Sequence, residues 1–416
     1  MKPCIVVCDD DQDRAVEWQR AVESVPDISS EFEVRALSPK ELVDAVDRLE
    51  HRRADARIGR NTPDTARSAA SRETDGDTHP FDQAAILLID YDLLFTALGD
   101  SEERTPSDTG ERVAYLARCY STSSVIVAVN QFSSTRSFDL TLRGHIDSFA
   151  DLNISSDVLD SRSLWAGSGA EFHPWSWPCL ISEHHRRDRL VRSMREAGAE
   201  QPILKTLGLH EGPTFEAMTR AHLAFLSPSG DPREATFATF VTGTRYGLRG
   251  KDVPWTEDAV IRIAAARVSK WLERVVLPGQ NILVDSAHLG PRFPSLVTLV
   301  DRTPLAWNAL ANPCAAAANI PLDNGSLASH EFIATDWLSR RAWKWPDIAR
   351  DERIRDVHDP WSIESIPFVF CEDTSNFRPR EDAIEFVAEE LLSEFQVRFV
   401  TRLADVRYEP EYYFAL

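Results

Sequence analysis

The 416-residue sequence lacks several patterns that would assign it to a common class of protein. No apolar run approaches the roughly 18 residues of a membrane span, and no secretory signal precedes the first apolar segment. We therefore expect a cytoplasmic protein without a membrane partner. The six cysteines form no C-x-x-C pair, which argues against a zinc ribbon or redox motif and favours reduced, buried thiols. P-loop and dinucleotide glycine patterns and the G-x-S-x-G elbow of hydrolases are also absent.

The sequence contains fewer basic than acidic residues. Lysine and arginine together number 46 against 66 aspartates and glutamates, which gives a net charge of -20. Such a chain repels phosphate backbones, so we expect no nucleic-acid partner. Its length suffices for two or three domains.

Two apolar segments that end in carboxylates carry most of the information. Residues 86–89 (ILLI) precede Asp90, and residues 4–8 (CIVVC) precede Asp9, Asp10 and Asp11. Uninterrupted apolar runs of this length are typical of parallel strands buried on both faces. Ligand sites in such sheets lie at the carboxyl ends of the strands. Carboxylates brought together there repel one another, and a hard divalent cation such as Mg²⁺ relieves the repulsion.

These segments resemble the receiver domain of two-component response regulators. Residues 6–11 (VVCDDD), followed by a helix that contains Arg14 and Trp18, are similar to the family's first strand, acidic pair and first helix. Residues 87–93 (LLIDYDL) are similar to the strand that carries the phosphoryl acceptor and to the turn after it. The resemblance covers roughly the first 155 residues; the second half resembles no family that we recognise.

The resemblance implies a function and a set of site residues. Asp90 would accept a phosphoryl group from a sensor histidine kinase or phosphotransfer protein. Mg²⁺ would be bound directly by Asp10, through water by Asp9, and also by Asp90 and the backbone carbonyl of Asp92. Because Asp11 extends the acidic run, the register of the acidic pair is open by one residue.

Two receiver residues are missing. Asn130 stands where the family places Ser or Thr at the end of the next strand, although its amide can still donate a hydrogen bond to a phosphoryl group. No lysine follows the last strand, where Ser155 and Ser156 stand instead. Two interpretations remain open. One is a divergent receiver that accepts phosphate without switching and acts as a phosphate sink, and the other is a pseudo-receiver scaffold.

The sequence predicts an α/β protein. Residues 1–160 would form a doubly wound, flavodoxin-like or CheY-like sheet of five parallel strands, with a flexible insertion at about 52–80. Residues 161–200 would form a Trp- and Pro-rich junction, wedged between domains, and a charged helix with a solvated face around His184 and His185. Residues 201–416 would form a helix-rich α+β output or interaction domain. We predict helices at 13–25, 38–49, 110–120, 183–197, 214–226, 256–276 and 379–395, and strands at 31–37, 124–129, 149–154, 281–285 and 368–373.

Catalytic residue types also occur in the second half, but without a recognisable motif. Asp285, Ser286 and His288 lie too close together along one loop to form a triad on their own. Glu372 and Asp373 follow an apolar segment and could bind a metal or cap a helix. A receiver-gated effector enzyme with a hydrolytic site here is thus an alternative function. An effector protein and a second copy of the chain are further possible partners.

Overall fold

The computed structural model describes residues 2–58, 79–93, 109–131, 148–167, 172–228, 230–244, 255–299, 301–311, 319–355, 366–388 and 394–402. The chain is an α/β protein, as the sequence predicts. Its first half contains β1 (Cys4–Cys8), α1 (Gln12–Glu23), α2 (Pro26–Glu31), β2 (Glu33–Ala36), α3 (Pro39–Ile58), β3 (Ala84–Asp90), α4 (Gly110–Tyr120), β4 (Val125–Asn130), β5 (Leu152–Ser155), α5 (Arg162–Ala166) and α6 (Leu180–Ala197).

The five strands form one parallel sheet in the order β2-β1-β3-β4-β5. This is the 2-1-3-4-5 order of flavodoxin-like folds. Every residue of β3 is buried, which explains its uninterrupted apolar sequence. Side chains of α1 and α6 pack on one face of the sheet and those of α3 and α4 on the other. The predicted doubly wound sheet is therefore confirmed.

Helix α3 is longer than predicted. It continues to Ile58, so the beginning of the insertion predicted at 52–80 is helical, and His79 and Pro80 at its end are buried. Arg52 supports the extension by donating a hydrogen bond of 2.9 Å to the carbonyl of Tyr120. Residues 59–78 lie outside the described residues.

The solvated face predicted for α6 around His184 and His185 is wrong for His184, which is buried, whereas His185 is exposed. The helix is packed between β3 and β4 on one side and the long helix α11 (Glu257–Trp271) on the other. Four of its polar side chains are consequently buried: Glu183, His184, Arg186 and Arg187. Neighbouring charges compensate for this burial, because the Glu183 carboxylate accepts hydrogen bonds of 2.8 Å from both Arg186 Nε and Arg187 Nη2.

The second half is helix-rich with small sheets, as predicted. Its other elements are α7 (Ile203–Thr206), α8 (Gly212–Ala217), α9 (Arg220–Leu226), α10 (Phe237–Gly243), β6 (Leu283–Asp285), α12 (Ser286–Arg292), α13 (Pro304–Ala311), α14 (Asn324–Leu327), β7 (Ala342–Lys344), α15 (Trp345–Arg350), α16 (Glu352–Arg355), β8 (Phe368–Cys371), β9 (Asn376–Pro379), β10 (Ile384–Val387) and β11 (Val397–Val400). The predicted helix 214–226 is two short helices, because Thr219 begins a new one with a capping box.

The helix predicted at 379–395 is also wrong. Residues 380–382 form a short 3-10 turn, and β10 pairs antiparallel with β11. The Pro-Arg-Glu-Asp start that suggested a helix fits such a turn equally well. The following segment, residues 384–387 (IEFV), is rich in residues that favour strands.

The Trp-rich segment contributes side chains to two different hydrophobic cores. Trp177 packs in the core under the sheet, whereas Trp175 packs in the core of the second half. The backbone N–H of Trp175 donates to the carbonyl of Glu372 at 2.7 Å, which ties the junction to the end of β8. The domain boundaries themselves stay a prediction.

Reduced thiols are confirmed for Cys4, Cys8, Cys119 and Cys371, but Cys179 is disulfide-bonded. A sequence without paired motifs cannot show which cysteines the fold brings together. Within the described residues, none of the helices combines the length and the apolarity that a membrane crossing needs.

Candidate functional site

Three carboxylates meet at the carboxyl edge of the sheet. Asp90 is the last residue of β3, and Asp9 and Asp10 directly follow β1. Because β1 and β3 are neighbouring parallel strands, with Cys8 opposite Ile89, their ends coincide. Carboxylate oxygens of the three residues all lie within 4.8 Å of one another. This juxtaposition, which the sequence predicted, lies at the point where the strand order reverses, the usual ligand site of such sheets.

Asp11 does not belong to this acidic cluster. Its side chain caps α1 by accepting hydrogen bonds from the backbone N–H groups of Asp13 and Arg14. Asp9 and Asp10, rather than Asp11, are therefore the acids of this run that lie beside Asp90.

A cation from the protein itself lies in the cluster. Arg14 Nε and Nη2 donate to the two carboxylate oxygens of Asp9, at 2.5 and 2.6 Å. Nη2 also lies 3.1 Å from Asp10 and 3.5 Å from Asp90. The sequence places Arg14 in the first turn of α1, but it gives no sign that the side chain turns back onto the preceding acids.

Arg14 does not fully neutralise the cluster. Three carboxylates face one guanidinium, and the Asp90 side chain is fully buried. Burial, followed by the charge of Asp9, raises the pKa of Asp90 to about 7 despite the opposing effect of Arg14. Burial and Asp9 also raise the pKa of Asp10. Asp90 Oδ1 is buried and has no hydrogen-bond partner within the described part of the chain.

The other predicted site residues lie near Asp90 but do not join the acidic cluster. Asp92 approaches Asp90 through its backbone N–H, which lowers the pKa of Asp90, and its carboxylate is not among the three clustered groups. Asn130 ends β4, one residue beyond the partner of Asp90, and pairs with Ser155 in the sheet. The amide that contacts Asp90 belongs to Gln131, whose Nε2 donates to Asp90 Oδ2 at 3.2 Å. The sequence analysis missed Gln131, because a residue just past a strand end has no fixed direction.

Gly110, the first residue of α4, brings that helix against the end of β3. A Cβ built on Gly110 would lie 2.1 Å from the carbonyl oxygen of Asp90 and 2.8 Å from Cα of Tyr91. Only glycine permits this close approach. Gly110 therefore helps to fix the backbone that carries Asp90.

The donor set fits a hard divalent cation. Three clustered carboxylates are the ligands that Mg²⁺ prefers, and the unsatisfied oxygen of Asp90 leaves one acceptor available. Arg14 contacts all three carboxylates, so an external cation would compete with it.

Asp285, His288 and Glu372 form a second cluster of titratable side chains, in the second half of the chain. His288 Nδ1 lies 2.8 Å from Asp285 Oδ1, and His288 Nε2 lies 3.2 Å from Glu372 Oε1. Burial alone would raise the pKa of Glu372, but Arg398, 2.5 Å away, and His288 outweigh it and lower that pKa. Ser286 donates instead to the carbonyl of Leu310, and Asp373 accepts from the backbone of Thr401. Of the residue types noted in the sequence, Asp285, His288 and Glu372 thus come together, without Ser286 and Asp373, in a largely buried arrangement.

No protein-family model, curated protein or solved structure matches this chain. The flavodoxin-like strand order and the acidic cluster at its switch point are therefore the features that bear most directly on function.

Proposed function

We propose that the protein is a receiver-like signalling protein in which Asp90 accepts a phosphoryl group. The donor would be a phosphohistidine of a sensor histidine kinase or phosphotransfer protein. The observation that carries this proposal is the unsatisfied, buried Oδ1 of Asp90 beside the carboxylates of Asp9 and Asp10.

In this proposal Asp9 and Asp10 hold Mg²⁺, which supplies the positive charge that phosphoryl transfer requires. The Arg14 side chain is 26% exposed, so its guanidinium can withdraw into solvent and uncover the three carboxylates. Ionised Asp90 then forms an O–P bond as the N–P bond of the phosphohistidine breaks, and the histidine keeps the electron pair.

After transfer, the residues near Asp90 determine what the phosphoryl group does. Gln131 already donates to Asp90, and Arg14 is the cation nearest to it among the described residues. Arg14 would take the place of the absent lysine by pairing with the phosphoryl oxygens. Since Arg14 lies on α1 and not on the last strand, we expect the protein to hold phosphate without the family's usual switch, as a sink that drains a kinase.

Phosphate-affinity electrophoresis with acetyl phosphate and Mg²⁺ tests the proposal. We expect a retarded band for the parent and for Asp11→Asn, in which an amide keeps the helix cap outside the cluster. We expect no band for Asp90→Asn or without Mg²⁺. A band that persists in Asp90→Asn would show that another residue is the acceptor.

Two observations favour a second candidate function, a pseudo-receiver scaffold. The Asp90 side chain is completely buried, and the Arg14 guanidinium forms a bidentate ion pair with Asp9. In this scaffold Arg14 permanently replaces the metal and no phosphoryl group enters. Absence of the retarded band from both the parent and an Arg14→Ala variant would favour this scaffold over the phosphoacceptor.

A further inference from the structure

An arginine-lined cavity lies at the opposite end of the sheet from Asp90. Its volume is about 240 Å³, and it is bounded by α6, by α11 and by the loop 121–124 that leads into β4. Arg118 and the loop belong to the first half, and Arg262 of α11 belongs to the second half. The guanidinium-bearing side chains in its wall are Arg118, Arg187, Arg192, Arg195 and Arg262.

Two of these arginines are buried with unused donors. Arg187 is 3% exposed, and its Nη2 donates to Glu183 at 2.8 Å and to Asp151 at 3.2 Å, but Nε and Nη1 have no partner among the described residues. Arg118 is 2% exposed, and its Nε likewise has no partner there. Buried N–H groups are almost always hydrogen-bonded, so these unpaired donors leave uncompensated positive charge in the wall beside the cavity.

The nearby carboxylates have other partners. Asp188, which lines the cavity, accepts a hydrogen bond of 3.2 Å from Ser124 Oγ. Asp151 is shared by Arg118, at 2.5 Å, and Arg187. Asp258 is shared by Arg195, at 2.6 Å, and Arg262, at 2.9 Å. Arg192, exposed on α6, makes no ion pair within the described part of the chain. The wall therefore offers unpaired positive charge in a chain whose net charge is -20.

We propose that this cavity binds the phosphate group of a small molecule. Planar guanidinium groups pair with phosphate through two parallel hydrogen bonds, and several arginines converge here. The volume lies below the roughly 300 Å³ at which pockets for drug-sized ligands begin, which suits a phosphate with a small remainder. The acidic chain as a whole repels nucleic acids, which favours a small ligand. A bound phosphate would contact arginines of both halves of the chain and so stabilise the contact between them.

Isothermal titration calorimetry of the full chain with inorganic phosphate and with adenosine monophosphate, at constant ionic strength, tests this site. We expect saturable binding to the parent, and binding about tenfold weaker to Arg192→Ala, the scale of one charge-assisted contact. Arg189→Ala is the matched control, because Arg189 is an exposed arginine of α6 that pairs with Asp336 away from the cavity. We expect it to bind like the parent.

Arg192→Lys should bind phosphate with intermediate affinity, because lysine keeps the positive charge but lacks the planar guanidinium that donates two parallel hydrogen bonds. Tighter binding of the nucleotide than of phosphate would identify a phosphate ester as the ligand class, and equal affinities would identify free phosphate. Failure of the parent to bind either probe at millimolar concentration would overturn the proposal. So would equal weakening in Arg192→Ala and the Arg189→Ala control.

Discussion

Asp90 is the residue on which the acidic cluster depends. Its pKa rises to about 7 because burial removes water from the carboxylate and Asp9 adds a like charge beside it. Arg14 opposes this shift without cancelling it. The site is therefore charged and incompletely compensated near neutral pH, which is the condition under which an added cation binds.

The raised pKa of Asp90 predicts a pH dependence of stability. In the unfolded chain this group titrates near pH 4, so between about pH 4 and 7 the folded state holds the extra proton and folding is favoured at the lower pH. This stabilisation is lost as pH rises through about 7. Relative to the parent, Asp90→Asn should gain on the order of 2–4 kcal/mol in free energy of unfolding from pH 4 to 8.

Urea unfolding of the parent and of Asp90→Asn at pH 4 and pH 8 measures this difference. An unchanged difference at the two pH values would mean that Asp90 titrates normally. Asp13→Asn is a suitable control, because Asp13 is an exposed acid in the first turn of α1, outside the cluster.

At the level of single residues, the sequence identified the acids but not the groups around them. Asp9, Asp10 and Asp90 could be predicted because each follows an apolar strand, and strand ends in a parallel sheet coincide. Arg14 and Gln131 could not, since the direction of a side chain beside a strand end depends on packing. The buried pair of Glu183 and Arg187 could not be predicted for the same reason. A helix rich in charged residues is interpreted as solvent-exposed unless the elements that pack against it are known.

Helix α4 depends on a glycine at its first residue. Gly110→Ala would place a methyl group 2.1 Å from the carbonyl oxygen of Asp90, so the helix or the strand must shift. We expect destabilisation of about 1–3 kcal/mol, the range for overpacking a close contact. In Gly243→Ala, at the end of α10, nothing lies within 4 Å, and we expect no loss of stability. Thermal unfolding of both variants tests this, and similar melting temperatures would contradict it.

Helix α6 carries a buried charge network. Glu183→Gln keeps the shape of the side chain but removes the negative charge shared by Arg186 and Arg187. We expect a loss of about 3 kcal/mol in free energy of unfolding, because two buried cations each lose one carboxylate partner and keep only the more distant one, Glu273 for Arg186 and Asp151 for Arg187. Glu196→Gln, at an exposed position of the same helix, should change stability by less than about 0.5 kcal/mol. Equal effects in urea unfolding would show that the network adds nothing.

At the level of elements, buried strands were predicted best. β1, β3 and β4 are apolar runs bounded by polar residues, and little else produces that pattern. The segment 384–387 was assigned to a helix because its start resembled a helix cap, and its strand partner at 397–400 lies too far along the chain for local patterns to reveal.

At the level of the whole molecule, the two halves are linked by several contacts around the sheet. The junction tryptophans occupy one core each, and α11 of the second half donates from Lys270 Nζ to the carbonyl of Ala150, at 2.8 Å, just before β5. The acidic cluster and the arginine-lined cavity lie at opposite ends of the same sheet. The resemblance to receivers predicted the first site, whereas the second depends on helices from both halves.

The central claim is that an external cation binds the acidic cluster in competition with Arg14. Isothermal titration of Mg²⁺ into the parent, Arg14→Ala and Asp10→Asn tests it most directly. We predict one site in the parent, affinity about tenfold or more higher in Arg14→Ala because the competing charge is gone, and affinity at least about tenfold lower in Asp10→Asn. Equal affinities in all three proteins, or no Mg²⁺ binding even in Arg14→Ala, would contradict the claim.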